Sequence, residues 1–201
     1  MIDSRADNTT AVASTDWTLI ILAGGRGSRM GGQDKGLLRY HGEAAVCYLA
    51  ARLASPRVLI SANRNQQQYR ALGFQVVADQ RDNFAGPLAG LEAALVEVST
   101  ARAVVVPCDM PSLPAVLPAR LLAALQPPVT LAVANDGERL QPLCLGLEVA
   151  ACLPGLRRYL DEGGVSAHGW LSAQQPVTCH FDCPAAFANI NSAADYAGYV
   201  G

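Results

Sequence analysis

The 201-residue chain has only one lysine, Lys35, only three histidines, and charged residues at 16% of its positions. Its formal net charge is −2, and beyond Arg157-Arg158 it has no local cluster of basic residues, which argues against a broad nucleic-acid surface. No apolar run approaches the roughly 18 to 20 residues that cross a bilayer, and the first seventeen residues lack a signal-peptide stretch. A cytoplasmic protein without a membrane span is therefore expected. Six cysteines (Cys47, Cys108, Cys144, Cys152, Cys179 and Cys183) occur without C-x-x-C spacing and read as reduced thiols. Cys179, His180 and Cys183 lack a second ligand pair at zinc-finger spacing, so the structural reading of that segment prevails. None of His41, His168 or His180 pairs with an obvious Ser, Cys or Asp. Chemistry that needs no protein base, such as phosphoryl or nucleotidyl transfer, can run on positioning and charge neutralisation alone.

What is present is an apolar chain, 51% hydrophobic, of a length that suits one compact domain. Residues 1 to 17 are small and polar and read as a loose tail, with a single domain over 18 to 201. Strands are expected over Thr18 to Ala23, Arg57 to Ala62, Phe74 to Ala78, Ala103 to Cys108 and Val129 to Ala134. Helices are expected over Glu43 to Ala54, Asn65 to Leu72, Pro87 to Val98 and Pro114 to Leu125, with Pro87 and Pro114 in first turns. Beyond Ala134 the pattern weakens to a strand over Pro142 to Glu148, a helix over Val149 to Leu160, an outer strand over Pro176 to Phe181 and a closing helix from Ser192. The βαβα order and the two-faced apolarity of Val104-Val105-Val106 predict a three-layer α/β domain with a mostly parallel sheet. Ligands in such sheets bind beyond the carboxyl ends of the strands, which selects Gly24 onward, Asn63, Asp79 and Asp109.

Directly after the first strand, Leu22 to Lys35 packs five glycines and three cations. Glycines let backbone N–H groups converge on phosphate oxygens, while Arg29 and Lys35 supply charge for a triphosphate. Every other generic cation in the chain is arginine, so the lone ammonium of Lys35 points to a specific task. The dinucleotide fingerprint fails at Met30, no G-K-[ST] triplet exists, and Ser61-Ala62-Asn63 lacks the acid a dehydrogenase would place there. Asp109 follows a buried strand and suits Mg²⁺, which takes few protein carboxylates and keeps positions for phosphate oxygens and water. Asp79 reads either as a surface turn residue or, with Asn83 to Gly90, as part of a loop for a base or ribose.

The segments LAGGRGSRMGGQDKG, NRNQQQY, GPLAG, PCDMP, NDGERLQP and FANINSAAD, in this order over residues 18 to about 197, resemble the molybdenum cofactor guanylyltransferase family. The resemblance implies a Rossmann-like α/β nucleotidyltransferase fold and transfer of GMP from GTP, with Mg²⁺, onto the phosphate of molybdenum-molybdopterin, giving a guanine dinucleotide and pyrophosphate. By matched position it implies that Leu22, Ala23, Gly24 and Lys35 contact GTP, that Asp79 lies near the guanosine and that Asp109 binds GTP and magnesium. Arg29 would assist with phosphates, and Gly25 of LAGG favours guanine over the LAAG of cytidylyltransferase relatives. Asn63 and the position of Ser61, an asparagine in similar N-A-N-R sequences, fall among the nucleotide contacts. Asn189 and Asn191 match a pterin-side region, although in isolation they read as turn-capping amides.

One departure concerns the acceptor. Related sequences carry basic residues around Gly163 to Ala167, whereas this chain has none after Arg158. Either His168 and Trp170 substitute by hydrogen bonding and stacking, or the region packs as core. A sugar-phosphate nucleotidyltransferase would show G-x-G-T-R instead of Ser28-Arg29 followed by Met30. A non-catalytic nucleotide-binding adaptor that delivers cofactor is opposed by retention of both Lys35 and Asp109. A monomer is expected, in transient contact with cofactor-assembly proteins and client molybdoenzymes.

Overall fold

A computed structural model of the protein describes residues 16–24, 33–81 and 86–190. Its central sheet has the order β5-β4-β1-β6-β8-β7-β9, where β1 is Trp17–Leu22, β4 Arg57–Ser61, β5 Gln75–Val77, β6 Arg102–Pro107, β7 Leu131–Asn135, β8 Leu140–Glu148 and β9 Val177–His180. Only β8 runs against its neighbours β6 and β7, so the sheet is mostly parallel as expected. Between β1 and β4 lie a short hairpin, β2 (Arg39–Tyr40) with β3 (Glu43–Ala44), and the helix α1 (Ala45–Leu53). The remaining helices are α2 (Gln66–Ala71), α3 (Pro87–Glu97), α4 (Leu117–Ala123), α5 (Val149–Asp161) and α6 (Ala167–Gln174).

The strands sort their side chains by period two, and both faces are apolar. Leu19, Ile21, Val104 and Val106 join Ile60, Val46, Leu49, Tyr69, Leu117 and Leu121 beneath α1, α2 and α4. Ile20, Leu22, Ala103 and Val105 join Leu88, Leu91, Leu156, Leu160 and Trp170 beneath α3, α5 and α6. Burying each of these large side chains contributes about 1.5–3 kcal/mol. This two-sided burial explains why strands such as Val104-Val105-Val106 show no polar alternation.

Several boundaries differ from those expected. Trp17, read as the last tail residue, is the first of β1 and is buried, and the neighbouring Asp16 pairs with Arg57. Helix α1 starts at Ala45 because Glu43–Ala44 folds back on Arg39–Tyr40 through His41 and Gly42, both at positive φ (48° and 87°). Helix α4 starts at Leu117, so Pro118 and not Pro114 occupies its first turn. Helix α6 has no counterpart in the sequence reading. The expected closing helix from Ser192 lies outside the described residues.

What matters for function is the alignment of strand ends. Leu22 is in register with Ser61 on one side and Pro107 on the other, and Ser61 with Val77. The ladder extends one step further through Ala23 N–H to Ser61 O (2.8 Å), Ala62 N–H to Val77 O (2.8 Å) and Cys108 N–H to Leu22 O (3.1 Å). Gly24, Asn63, Asp79 and Asp109 therefore emerge at one edge of the sheet. Helix α5 begins where β8 ends, at the opposite edge, so its 13 residues carry the chain back to this rim.

Candidate active site

Lys35 and Asp109 are 74 residues apart in sequence, yet the Lys35 Nζ donates to Asp109 Oδ2 at 2.9 Å. Both side chains are about one-fifth exposed, at 22% and 21%. They are sheltered enough for their charges to matter and open enough to meet a ligand. Lys35 opens a short 3-10 turn, Lys35–Leu37, whose N-cap is Asp34. The Asp34 carboxylate accepts from Gly36 N (3.1 Å) and Tyr69 Oη (2.5 Å) on Oδ1, and from Asn65 Nδ2 (2.9 Å) on Oδ2. This residue received no role in the sequence reading. An Asp directly before the Lys-Gly of a turn is the capping signal that would have found it.

On the other side of β1, Asn63 and Asp79 form a two-bond clamp. Asn63 Nδ2 donates to Asp79 Oδ2 at 2.7 Å, and Asp79 N–H donates to Asn63 Oδ1 at 3.0 Å. The clamp puts Asp79 beside Asn63 at the carboxyl edge of the sheet, a position compatible with both readings left open for it, a plain turn residue and a ligand-side carboxylate. The segment after Asp79 is anchored from behind. Arg81 donates to both oxygens of Glu92 on α3 (2.5 and 2.9 Å) and pairs with Asp161 at 2.8 Å, and Arg157 of α5 lies 3.5 Å from Glu92. The hydrogen bonds to Glu92 hold the Arg81 guanidinium above its ordinary pKa.

The other expected contacts divide clearly. Gly24 is exposed at the rim, and among the described residues a Cβ built on it would meet only Asn63 Nδ2, at 3.9 Å. Leu22 and Ala23 are buried (8% and 7%), so they offer chiefly backbone. Ser61 does not fit its expected role. Its side chain is 3% exposed and faces α3, where a Cβ on Gly90 would lie 2.4 Å from Ser61 Oγ. The hydroxyl is thus spent on helix packing, and the contact inferred from N-A-N-R sequences has no side-chain atom here to make it. Gly25, Arg29 and Asn191 lie outside the described residues.

Asn189 is exposed, and the next residue, Ile190, donates its N–H to Asp109 O at 2.8 Å. Ile190 also packs on Tyr40, Ala45 and Tyr48 beside the hairpin. The FANI segment is therefore tied to the backbone of the site carboxylate, a connection over 80 residues that no local pattern could reveal. Trp170 is fully buried in the core under α6, so of its two open readings packing holds and stacking on a pterin does not. His168 is exposed, and the Gly163–Ser166 stretch leans on the Tyr159 ring, with Val165 O close to Gly86 at the start of α3. The NDGERLQP motif is a self-contained turn. Asp136, 2% exposed, accepts from Glu138 N and Arg139 N (2.8 Å each) and from Gln141 Nε2 (2.6 Å). Burial pushes its carboxyl up, but these donors outweigh it and hold the pKa below the ordinary range.

An ammonium facing a carboxylate at the carboxyl ends of two parallel strands, flanked by an amide–carboxylate clamp, defines a nucleotide-handling α/β enzyme. Residues 19–177 match the model of the MobA-like NTP transferase domain, and the chain belongs to that family. It is a nucleotidyltransferase. A molybdenum cofactor guanylyltransferase of Shewanella frigidimarina is 44% identical over 177 residues, covering 86% of this chain and 90% of that protein. One of Ralstonia nicotianae is 42% identical over 197 residues, covering 92% and 96%. The crystal structure of molybdopterin-guanine dinucleotide biosynthesis protein A from Archaeoglobus fulgidus superposes with a TM-score of 0.72 at 19% identity, covering 90% of this chain and 96% of that one, and supports the fold.

Proposed function

We propose that the enzyme transfers GMP from GTP to the phosphate of molybdenum-molybdopterin, releasing pyrophosphate. The observation that carries this reading is the Lys35–Asp109 pair at the sheet's carboxyl edge, in a chain more than 40% identical to proteins named as molybdenum cofactor guanylyltransferases. A phosphate oxygen of the acceptor attacks the α-phosphorus of GTP. The bond between that phosphorus and the bridging oxygen to the β-phosphate breaks, and pyrophosphate leaves with the electron pair. A phosphate monoester is already largely dianionic near neutral pH, with its second pKa at about 6, so the nucleophile has no proton to surrender to a protein base. What the protein must supply is alignment and positive charge.

Lys35 supplies that charge, released from Asp109 toward the triphosphate when nucleotide enters. Among the described residues no three His, Cys, Asp or Glu side chains gather as a metal cage. Asp109 is a single, partly exposed carboxylate, a donor set that fits Mg²⁺, whose remaining ligands are phosphate oxygens and water. Asp109 would hold Mg²⁺ there, and the ion would supply neutralisation of the triphosphate and pyrophosphate charge. Asn63 and Asp79 hold the nucleoside side, and Asn189 faces the acceptor. The test is pyrophosphate release by purified protein with Mg²⁺ and molybdopterin-type cofactor, offering GTP, CTP and ATP separately. Release selective for GTP, with a guanine dinucleotide as product, is expected. Selectivity for CTP, or GTP binding without release, refutes the assignment.

A further inference from the structure

Tyr69 is fully buried within the core under α1 and α2, where packing alone would be satisfied by phenylalanine. Its hydroxyl nevertheless donates to Asp34 Oδ1 at 2.5 Å. The hydroxyl reaches that carboxylate only because residue 36 is glycine: a Cβ there would lie 2.5 Å from Tyr69 Oη and 3.0 Å from Val46 Cγ1. From the same motif, Asn65 donates to the other Asp34 oxygen at 2.9 Å while held in left-handed backbone at φ 52°. Asparagine is among the few residues that tolerate this conformation. Three features of two separate segments thus converge on one carboxylate, and that carboxylate caps the turn that begins with Lys35.

We infer that Tyr69 is a positioning residue: through Asp34 it fixes the turn that aims Lys35 toward Asp109, and so governs use of the triphosphate. The inference rests on the reading of Lys35 as the phosphate-binding cation. A buried hydroxyl without a partner is costly, so its pairing with Asp34 gives the turn one preferred arrangement that water cannot readily replace. Asn65 ties the same carboxylate to the start of α2, two residues from the Asn63–Asp79 clamp. The two sides of the nucleotide crevice therefore share one short support, the Asn63-Arg64-Asn65 loop.

The experiment compares Tyr69→Phe and Asn65→Gly, each in the wild-type and in the Lys35→Ala background. Thermal melting reports the fold, kcat and KM for GTP are measured, and affinities for MgGTP and for GMP are determined by calorimetry. Tyr69→Phe keeps the ring, and Asn65→Gly keeps the left-handed backbone. Displacing a charge by a fraction of an ångström to an ångström costs up to on the order of 100-fold in rate. A fall in kcat on the order of 10- to 100-fold is expected for Tyr69→Phe, with a smaller fall for Asn65→Gly. Both should lose preference for GTP over GMP while GMP affinity holds. Once Lys35 is already alanine, neither should change that preference further by more than about twofold. Equal losses in both backgrounds, or equal losses of GTP and GMP affinity, would assign Tyr69 a merely structural role and overturn the inference. A wild type that does not bind GTP overturns the functional reading and this inference together. A fully active Tyr69→Phe beside an active wild type overturns this inference alone.

Discussion

The two halves of the sheet treat polar residues in opposite ways. In the parallel half, β5-β4-β1-β6, the strand ends leave Lys35, Asn63, Asp79 and Asp109 partly open and paired with one another across the rim. In the half built on β8, β7 and β9, the comparable polar group Asp136 is sealed at 2% exposure and saturated by its own turn. A carboxylate held by backbone N–H groups has its acceptor capacity spent, whereas one held by a partly exposed side-chain ammonium can exchange that partner for a ligand. Sequence motifs alone do not separate the two, since PCDMP and NDGERLQP both present an aspartate after an apolar strand.

The largest expected effect falls in the first half. Lys35→Ala should lower GTP turnover by on the order of 10²–10³-fold, as removal of one transition-state charge partner does, with the melting temperature nearly unchanged. Normal steady-state kinetics in that variant would erase the contrast between the halves. In the second half the balance should invert. Trp170→Ala should destabilise the fold by about 3–5 kcal/mol while KM for GTP in the folded fraction stays put, as read by denaturant unfolding alongside kinetics.

Asp136→Ala should cost about 2–4 kcal/mol, because it leaves two backbone N–H groups and the Gln141 amide without their acceptor. Since the Asp136 carboxyl titrates below its ordinary value in the folded chain, its contribution is present above about pH 4 and fades as the pH falls through the folded value. Asp136→Asn should flatten that acid limb in an unfolding series against pH. The smallest effect concerns thiols. Burial pushes Cys108 and Cys144 far up and Cys152 up to about 11, so iodoacetamide should label these three only after unfolding.

The strand ends of the first half were legible because parallel strands buried on both faces are continuous apolar runs, and the residue after each run is where chemistry collects. Thus Asn63, Asp79 and Asp109 could be selected by position, and Lys35 by its being the single lysine. Less legible were relations that exist only in three dimensions. Ser61 looked like a ligand contact by analogy, but Gly90 opens a space that draws its hydroxyl into α3. Trp170 looked available for stacking because α6 went unrecognised, its Ser166 cap followed by a short and weakly patterned helix. Asp34 and Tyr69 sat inside quoted motifs without a role, since neither spacing nor composition reveals that they meet. The Ile190–Asp109 backbone bond is likewise a product of the sheet order.

In the proposed mechanism Asp109 and Lys35 form one reacting centre at the sheet's carboxyl edge. The most direct measurement is Mg²⁺-dependent pyrophosphate release from GTP, with molybdopterin-type cofactor, by Asp109→Asn beside the wild type across a magnesium titration. The account predicts a folded variant that still binds GMP but releases pyrophosphate on the order of 10²-fold more slowly or worse, with the magnesium requirement shifted to higher concentration. Wild-type turnover with an unchanged magnesium dependence would contradict it.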